Sequence, residues 1–416
     1  MLIQFCRLAF ACTLLVLPAL ASASTPLTLD EALGAILLHN PEMASARQYR
    51  AIAAAEVRVA GARPNPEISI SLGNWQSRTS ATGRGEAGQL GLSQLVELPA
   101  VRASRTRAAQ YGVSAADFNA DWVRVDVGYD ARVAFSDLLK RQEDGRLAAE
   151  NLALLTAILS RVRSRVAVGE APRLELVRAE SEVLVARTAA ESANLQIEEA
   201  RGLLRRLAGN ALPPQFEAIG SLPALPVLPE FSMLQQKLLD ANPRLKALNA
   251  EYDRMRARVD HERALRTPQP TINLMQAQDP ETRQTLVGVG FPLPLWNRRE
   301  GQIALAQSNA DLALTQIDAQ RAQLLRELDA AYARASIMQR QVQTFESGLL
   351  TSADAALKVA EAAWRFGERG FLEVLDAQRT LRSVRRDYNQ ARFERHAAWM
   401  ALERLQGKDP FGKDNL

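Results

Sequence analysis

Cysteine is nearly absent. The 416-residue chain holds two, Cys6 and Cys12, both in its first stretch. Arg7 precedes an apolar run, 8–20, which Ala21-Ser22-Ala23 follows; this is the pattern of a secretory signal with a small-residue cleavage site. The run is shorter than the ~20 residues of a spanning helix, which disfavours an uncleaved anchor. It also continues past Cys12, against lipoprotein processing there. Cleavage after Ala23 leaves no cysteine, which excludes disulfides, thiolate metal sites and a lipid anchor. Histidine is almost as scarce. His39, His261 and His396 show no metal-ligand spacing, so no metal or cofactor is expected. No later run is apolar and long enough to span a bilayer as a helix, so entry into a membrane must be by strands. The net charge of +4 is dispersed among 51 basic and 47 acidic residues, which argues against a nucleic-acid partner. Phosphate-cradling loops, Gly-x-Ser-x-Gly and His-Glu-x-x-His are missing, so no enzyme is expected.

Proline is missing from 101–168. There Phe118, Trp122, Val125, Tyr129, Val133, Ser136 and Leu139 recur at mostly four-three spacing, and Leu155, Ile158, Val162 and Val166 resume it. That is coiled-coil packing on one helix of about 100 Å. Gly169 stops it, and residues 174–207 are predicted to return. Upstream, Thr28 and Glu31 form a capping-box signature for a helix predicted to run through Asn40-Pro41 to about residue 61. Prolines 64 and 66 end it. Ile68, Ile70 and Leu72 then alternate with Ser69, Ser71 and Gly73, and Leu90 and Leu92 with Gly91 and Ser93. Period two predicts a strand pair, the second strand over 88–98, with an exposed loop over 76–87.

The same order is then written again. After a proline-rich connector, residues 231–266 are predicted helical and contain Asn242-Pro243; prolines 268 and 270 follow. Ile272 and Leu274 alternate with polar residues, and Val287, Val289 and Phe291 with glycines. A second long helix carries Leu324, Leu328, Ala335, Val342 and Leu349 in heptad steps, Gly367 turns it, and residues 371–405 return. The two turns share a grammar: Gly169-Glu170 precedes Leu174-Glu175, and Gly367-Glu368 precedes Leu372-Glu373, 198 positions later. Six landmarks recurring in order indicate an internal duplication. The predicted units are a signal peptide (1–23), a first repeat (24–210), a connector (211–230), a second repeat (231–407) and a short polar tail (408–416).

Four amphipathic strands cannot close a membrane barrel, which needs about eight, and an open edge is not tolerated in lipid. Closure must come from several chains in a ring. At this point the chain resembles the TolC family of outer-membrane efflux factors, on its duplicated Asn-Pro pairs, its strand pairs, its glycine-turned long helices and the stretch Leu372-Glu373-Val374-Leu375-Asp376-Ala377. The segment from Pro292 to Gly301 is similar to the cobalt–zinc–cadmium resistance branch. The resemblance implies a mainly α protein with a small membrane β part. It implies a homotrimer with a twelve-stranded β-barrel continued by an α-helical barrel, in the outer membrane of a Gram-negative bacterium. It also implies a periplasmic adaptor and an inner-membrane resistance-nodulation-division pump as partners. The alternative is a periplasmic coiled-coil scaffold, which leaves the strands without a use.

Glu373 and Asp376 lie three apart on one helix face. Near a helix N-terminus such acids favour the macrodipole; repeated round a threefold axis they would form a constriction of six carboxylates. The resemblance implies that they are gate acids and that Arg369 is a latch. Arg178 stands in the first copy where Asp376 stands in the second. Gly169, Gly367 and Glu175 are expected at the partner-facing tip. The expected membrane-facing residues are Ile68, Ile70, Leu72, Leu90, Leu92, Ile272, Leu274, Val287, Val289 and Phe291, against outer-membrane lipid.

Overall fold

A computed structural model describes residues 25–78 and 83–412; the predicted signal peptide lies outside them. Each repeat opens with two helices rather than the single one expected. Helices α1 (Leu29–His39) and α2 (Pro41–Gly61) meet at Asn40. A short strand, β1 (Thr25–Leu27), precedes them. In the second repeat α5 (Phe231–Ala241) and α6 (Pro243–Ala264) meet at Asn242. The cause is local. Proline suits the first position of a new helix because no N–H is needed there. The asparagine before it is an N-cap: Asn40 Oδ1 accepts from Glu42 N at 2.8 Å and Met43 N at 3.1 Å, and Asn242 Oδ1 from Arg244 N at 2.9 Å and Leu245 N at 3.3 Å.

Strands β2 (Glu67–Gln76), β3 (Arg84–Leu95), β5 (Thr271–Gln278) and β6 (Arg283–Gly290) form one antiparallel sheet in the order β2-β3-β5-β6. The β3–β5 pairing joins the two repeats, so the sheet is shared between them. Strand β3 begins earlier than expected, shortening the loop, and ends at Leu95 rather than 98. Phe291 falls one residue beyond β6, so it is not a strand residue; Pro292 and Pro294 lead the chain out of the ladder there. The connector is not wholly irregular either. Strand β4 (Phe216–Ala218) pairs in parallel with β1 and buries Phe216.

Below the sheet run the long helices. Helix α3 (Pro99–Ala167) has 69 residues, which at 1.5 Å rise makes it about 100 Å long. Helix α4 (Arg173–Leu207) returns beside it. In the second repeat α7 (Glu300–Thr344) passes through a π-turn (Phe345–Leu349) into α8 (Leu350–Arg365), and α9 (Phe371–Leu405) returns. Their apolar seams form separate cores along the molecule. One, built on Ile36, Leu138, Leu204 and Phe216, packs α1 onto the first hairpin. Its counterpart, built on Leu238, Leu328 and Leu402, packs α5 onto the second. A third joins both hairpins near their tips through Val162, Val183, Trp364, Phe371 and Val374.

The short polar tail is docked on α3 as far as Gly412. Arg124 Nε donates to both Asp409 carboxylate oxygens at 3.0 Å, its guanidinium lies 5.2 Å from the Phe411 ring centroid, and Phe411 is buried. Gly128 makes room for this segment: a Cβ there would lie 1.9 Å from Pro410 Cγ.

Candidate functional site

The two helical tips are built alike. Gly169 (φ +80°) and Gly367 (φ +76°) adopt the left-handed conformation that other residues avoid. In each tip the next N–H reaches back over the last turn, Glu170 N to Arg165 O at 2.8 Å and Glu368 N to Ala363 O at 2.9 Å, so freed carbonyls are satisfied. Space is open around both glycines, so conformation alone selects them.

Beyond Gly367 the chain re-enters helix at Phe371, with Gly370 as N-cap. Phe371, Val374, Leu375 and Gln378 are buried, and the Phe371 ring packs against Trp364 at 5.8 Å between centroids. Helical periodicity then turns Leu372, Glu373, Asp376 and Arg379 outward, and all four are exposed. The expected pair of acids thus shares the outward face of the first turns of α9. Arg369 Nη1 contacts Glu373 Oε1 at 3.1 Å, so the basic residue engages one of the two acids within its own chain. Among the described residues Asp376 makes no ion pair. In the first copy Glu175 is half-buried and Arg178 exposed, and the two do not pair among the described residues.

Contacts that the sequence did not announce tie this tip to the first hairpin. Gln378 Nε2 donates to Asn151 Oδ1 at 2.7 Å, Arg379 pairs with Glu182, and Arg165 stacks over the Trp364 ring at 5.8 Å. The near-equal spacing of Glu182 and Arg379 to that of the two tips was their only sequence signal.

At the other end, the sheet presents a continuous apolar face. Ile68, Leu92, Leu274 and Val287 stand directly opposite one another across all four strands. Ile70 pairs with Leu90 on one side, and Ile272 with Val289 on the other. These eight are exposed, as are Leu72 and Phe291. The opposite face carries Ser69, Gly91, Asn273 and Gly288, small or polar. Strands β2 and β6 have no further partner among the described residues, so both edges are open. Trp75 closes β2, and Trp296, 95% exposed, stands in the segment between β6 and α7. No helix among the described residues is long and apolar enough to cross a membrane, and none of their acidic or histidine side chains cluster as a metal site.

A duplicated helical hairpin carrying an exposed, open-edged antiparallel sheet marks an outer-membrane efflux channel. The model of the outer membrane efflux protein family matches residues 32–210 and 234–408, and the chain belongs to that family. It is 29% identical over 388 residues to the cobalt-zinc-cadmium resistance protein CzcC of Cupriavidus metallidurans, covering 93% of this chain and 91% of that one. Among solved structures it superposes on the outer-membrane channel OprN with a TM-score of 0.79 at 18% identity, covering 92% and 91% of the two chains. The transmembrane channel CusC gives 0.77 at 17% identity, covering 91% of each.

Proposed function

We propose that this channel is the passive exit duct for heavy-metal cations, zinc, cobalt or cadmium, in a tripartite efflux system. The observation that carries the cargo is the similarity, over more than nine-tenths of both chains, to a cobalt-zinc-cadmium resistance protein. The two open edges, β2 and β6, favour closure by copies of the same chain, and three copies give twelve strands. The apolar row from Ile68 to Val287 then faces lipid, and the leader at 1–23 directs export and is removed. The glycine-turned tips at Gly169 and Gly367, with Glu175, meet a periplasmic adaptor and an inner-membrane pump, which supplies the driving force.

In this reading Glu373 and Asp376 of three chains line a constriction. Mutual repulsion and a local excess of cations would then couple its state to divalent ions. Arg369 holds Glu373 in the resting state and releases it on opening. In planar bilayers the wild-type protein conducts, and Glu373→Ala with Asp376→Ala lowers block by divalent cations about tenfold or more, as loss of a charged ring implies. Unaltered block would return both acids to a macrodipole role. The cargo is tested separately: a deletion strain becomes sensitive to zinc, cobalt and cadmium, and sensitivity to organic drugs alone would refute the metal assignment.

A further inference from the structure

The core seam of the first hairpin keeps one step of seven along α3, with Gly145 at the step between its two apolar runs, facing Ile197 of α4. Ala131 and Leu138 are buried, and Leu152, Leu159 and Val166 pack against the tip core. Along the second hairpin the step holds from Leu328 through Ala335 to Val342, and again from Leu357 to Trp364. Between these runs it is out by one residue. An unbroken heptad puts the next core position at Leu349, as the sequence reading expected, but Leu349 is 42% exposed and Leu350 packs inward instead. The turn at Phe345–Leu349, π-like and kinked at Gly348 (φ 165°, ψ −22°), takes up the difference. One extra residue in an α-helix would rotate everything beyond it by about 100° round the axis, and a π-turn absorbs it. The repeats show the same offset: Leu328 lies 197 positions after Ala131, whereas Trp364 lies 198 after Val166. The second repeat therefore carries an inserted residue that the first lacks.

Helix α9 holds this turn. The Phe345 and Tyr388 rings lie 5.8 Å apart, and Tyr388 Oη donates to Glu346 Oε1 at 2.9 Å. The buried core here is small, Val342, Phe345 and Ala391, and it separates two larger ones. Gly348 departs from helical torsions, and a Cβ there would meet nothing within 4 Å, so this glycine does not serve close packing. A weakly packed π-turn between two well-packed helical segments is where bending is least costly.

We propose that residues 345–349 are a built-in joint of the second hairpin, pinned by the Tyr388–Glu346 hydrogen bond, and that opening of the tip bends the chain there. The joint rests on reading the tip as a gate. Its test uses the inserted residue. Deleting Gly348 converts the π-turn to α-helix and leaves the seam in phase on both sides, so this variant assembles and melts like the wild type. Deleting Ala148 from α3, which has no residue to spare, rotates the seam and abolishes assembly. In planar bilayers deletion of Gly348 lowers the opening frequency about tenfold or more, the factor set by 1.4 kcal/mol of added stiffness. Tyr388→Phe keeps the ring, loses the pin and raises opening about fivefold, the effect of one net hydrogen bond. Failure of the Gly348 deletion to assemble, or unchanged opening in both variants of a conducting channel, overturns the joint. A wild-type protein that never conducts overturns the gate reading instead.

Discussion

Burying an amide side chain is costly unless its polar atoms are matched, and Asn242, fully buried, matches them twice over. Its oxygen caps α6, and its Nδ2 donates to Leu405 O at 2.8 Å, at the end of α9. Asn40 does the same for α2 and Leu207 O at 2.9 Å. One side chain thus starts a helix and ends its distant neighbour. Asn242→Ala should cost ~2–3 kcal/mol, combining a lost cap and an orphaned carbonyl, measured as a fall in melting temperature of the purified protein. His396 is the opposite case. It is 5% exposed, and neither ring nitrogen has a hydrogen-bond partner. Burial, reinforced by the positive charges of Arg132 and Arg395, lowers its pKa to about 4. Since the unfolded residue titrates near 6.5, the unfolded chain binds a proton between pH 6.5 and 4 that the native chain refuses. Stability present above pH 6.5 is therefore lost as pH falls through that window, by at most ~3 kcal/mol and by less where solvent screens the arginines. His396→Leu should flatten this acid loss in melts at pH 7.5 and 4.5; an identical pH slope in the variant would contradict it.

At the scale of elements, Gly367 and Gly169 determine how the long helices end. An alanine at either position keeps the space but strains the left-handed backbone, so each substitution should cost ~1 kcal/mol. The loss is local to the tip, and faster amide exchange over residues 360–376 for Gly367→Ala, with exchange in the sheet unchanged, would register it. Much of this level was legible in the sequence. Alternation marked β2, β3, β5 and β6, and heptad spacing with glycine stops marked the hairpins. What escaped was governed by contacts between elements. The one-residue breaks at Asn40 and Asn242 were written in Asn-Pro, an N-cap followed by a first-turn proline, but helical residues on either side concealed them. The strand β4 is three residues long and exists because β1 lies beside it. The π-turn conserves the seam, so the same apolar pattern reads as a continuous helix when only spacing is considered.

For the whole molecule, the segment that follows α9 fastens the two repeats together. The Asp409 carboxylate is matched to Arg124 on α3, and this pair fastens the end of the second repeat to the first. Asp409→Ala strands a guanidinium whose side chain is only 10% exposed and should cost ~2–3 kcal/mol, at the lower end for a broken buried pair because Asp409 itself is partly solvated. Chemical denaturation should report that loss, and a midpoint unchanged from wild type would remove the tail from the account of stability. The sequence by itself determined the strand pairs, the long hairpins and the places where they turn, because each depends on residues a few positions apart: period two, period three and a half, and glycine where φ is positive; the duplication followed because those local patterns recur in the same order. Only the tertiary structure decided what those elements meet. It showed that Glu373 and Asp376 face outward because Phe371, Val374 and Leu375 claim the core, and that Arg369 already engages one of the acids. It lined up the apolar row across four strands from both repeats, and it docked a tail that composition marked only as short and polar. Apart from the Arg369–Glu373 pair, four positions apart, those outcomes depend on contacts between residues up to hundreds of positions apart, which local spacing does not encode.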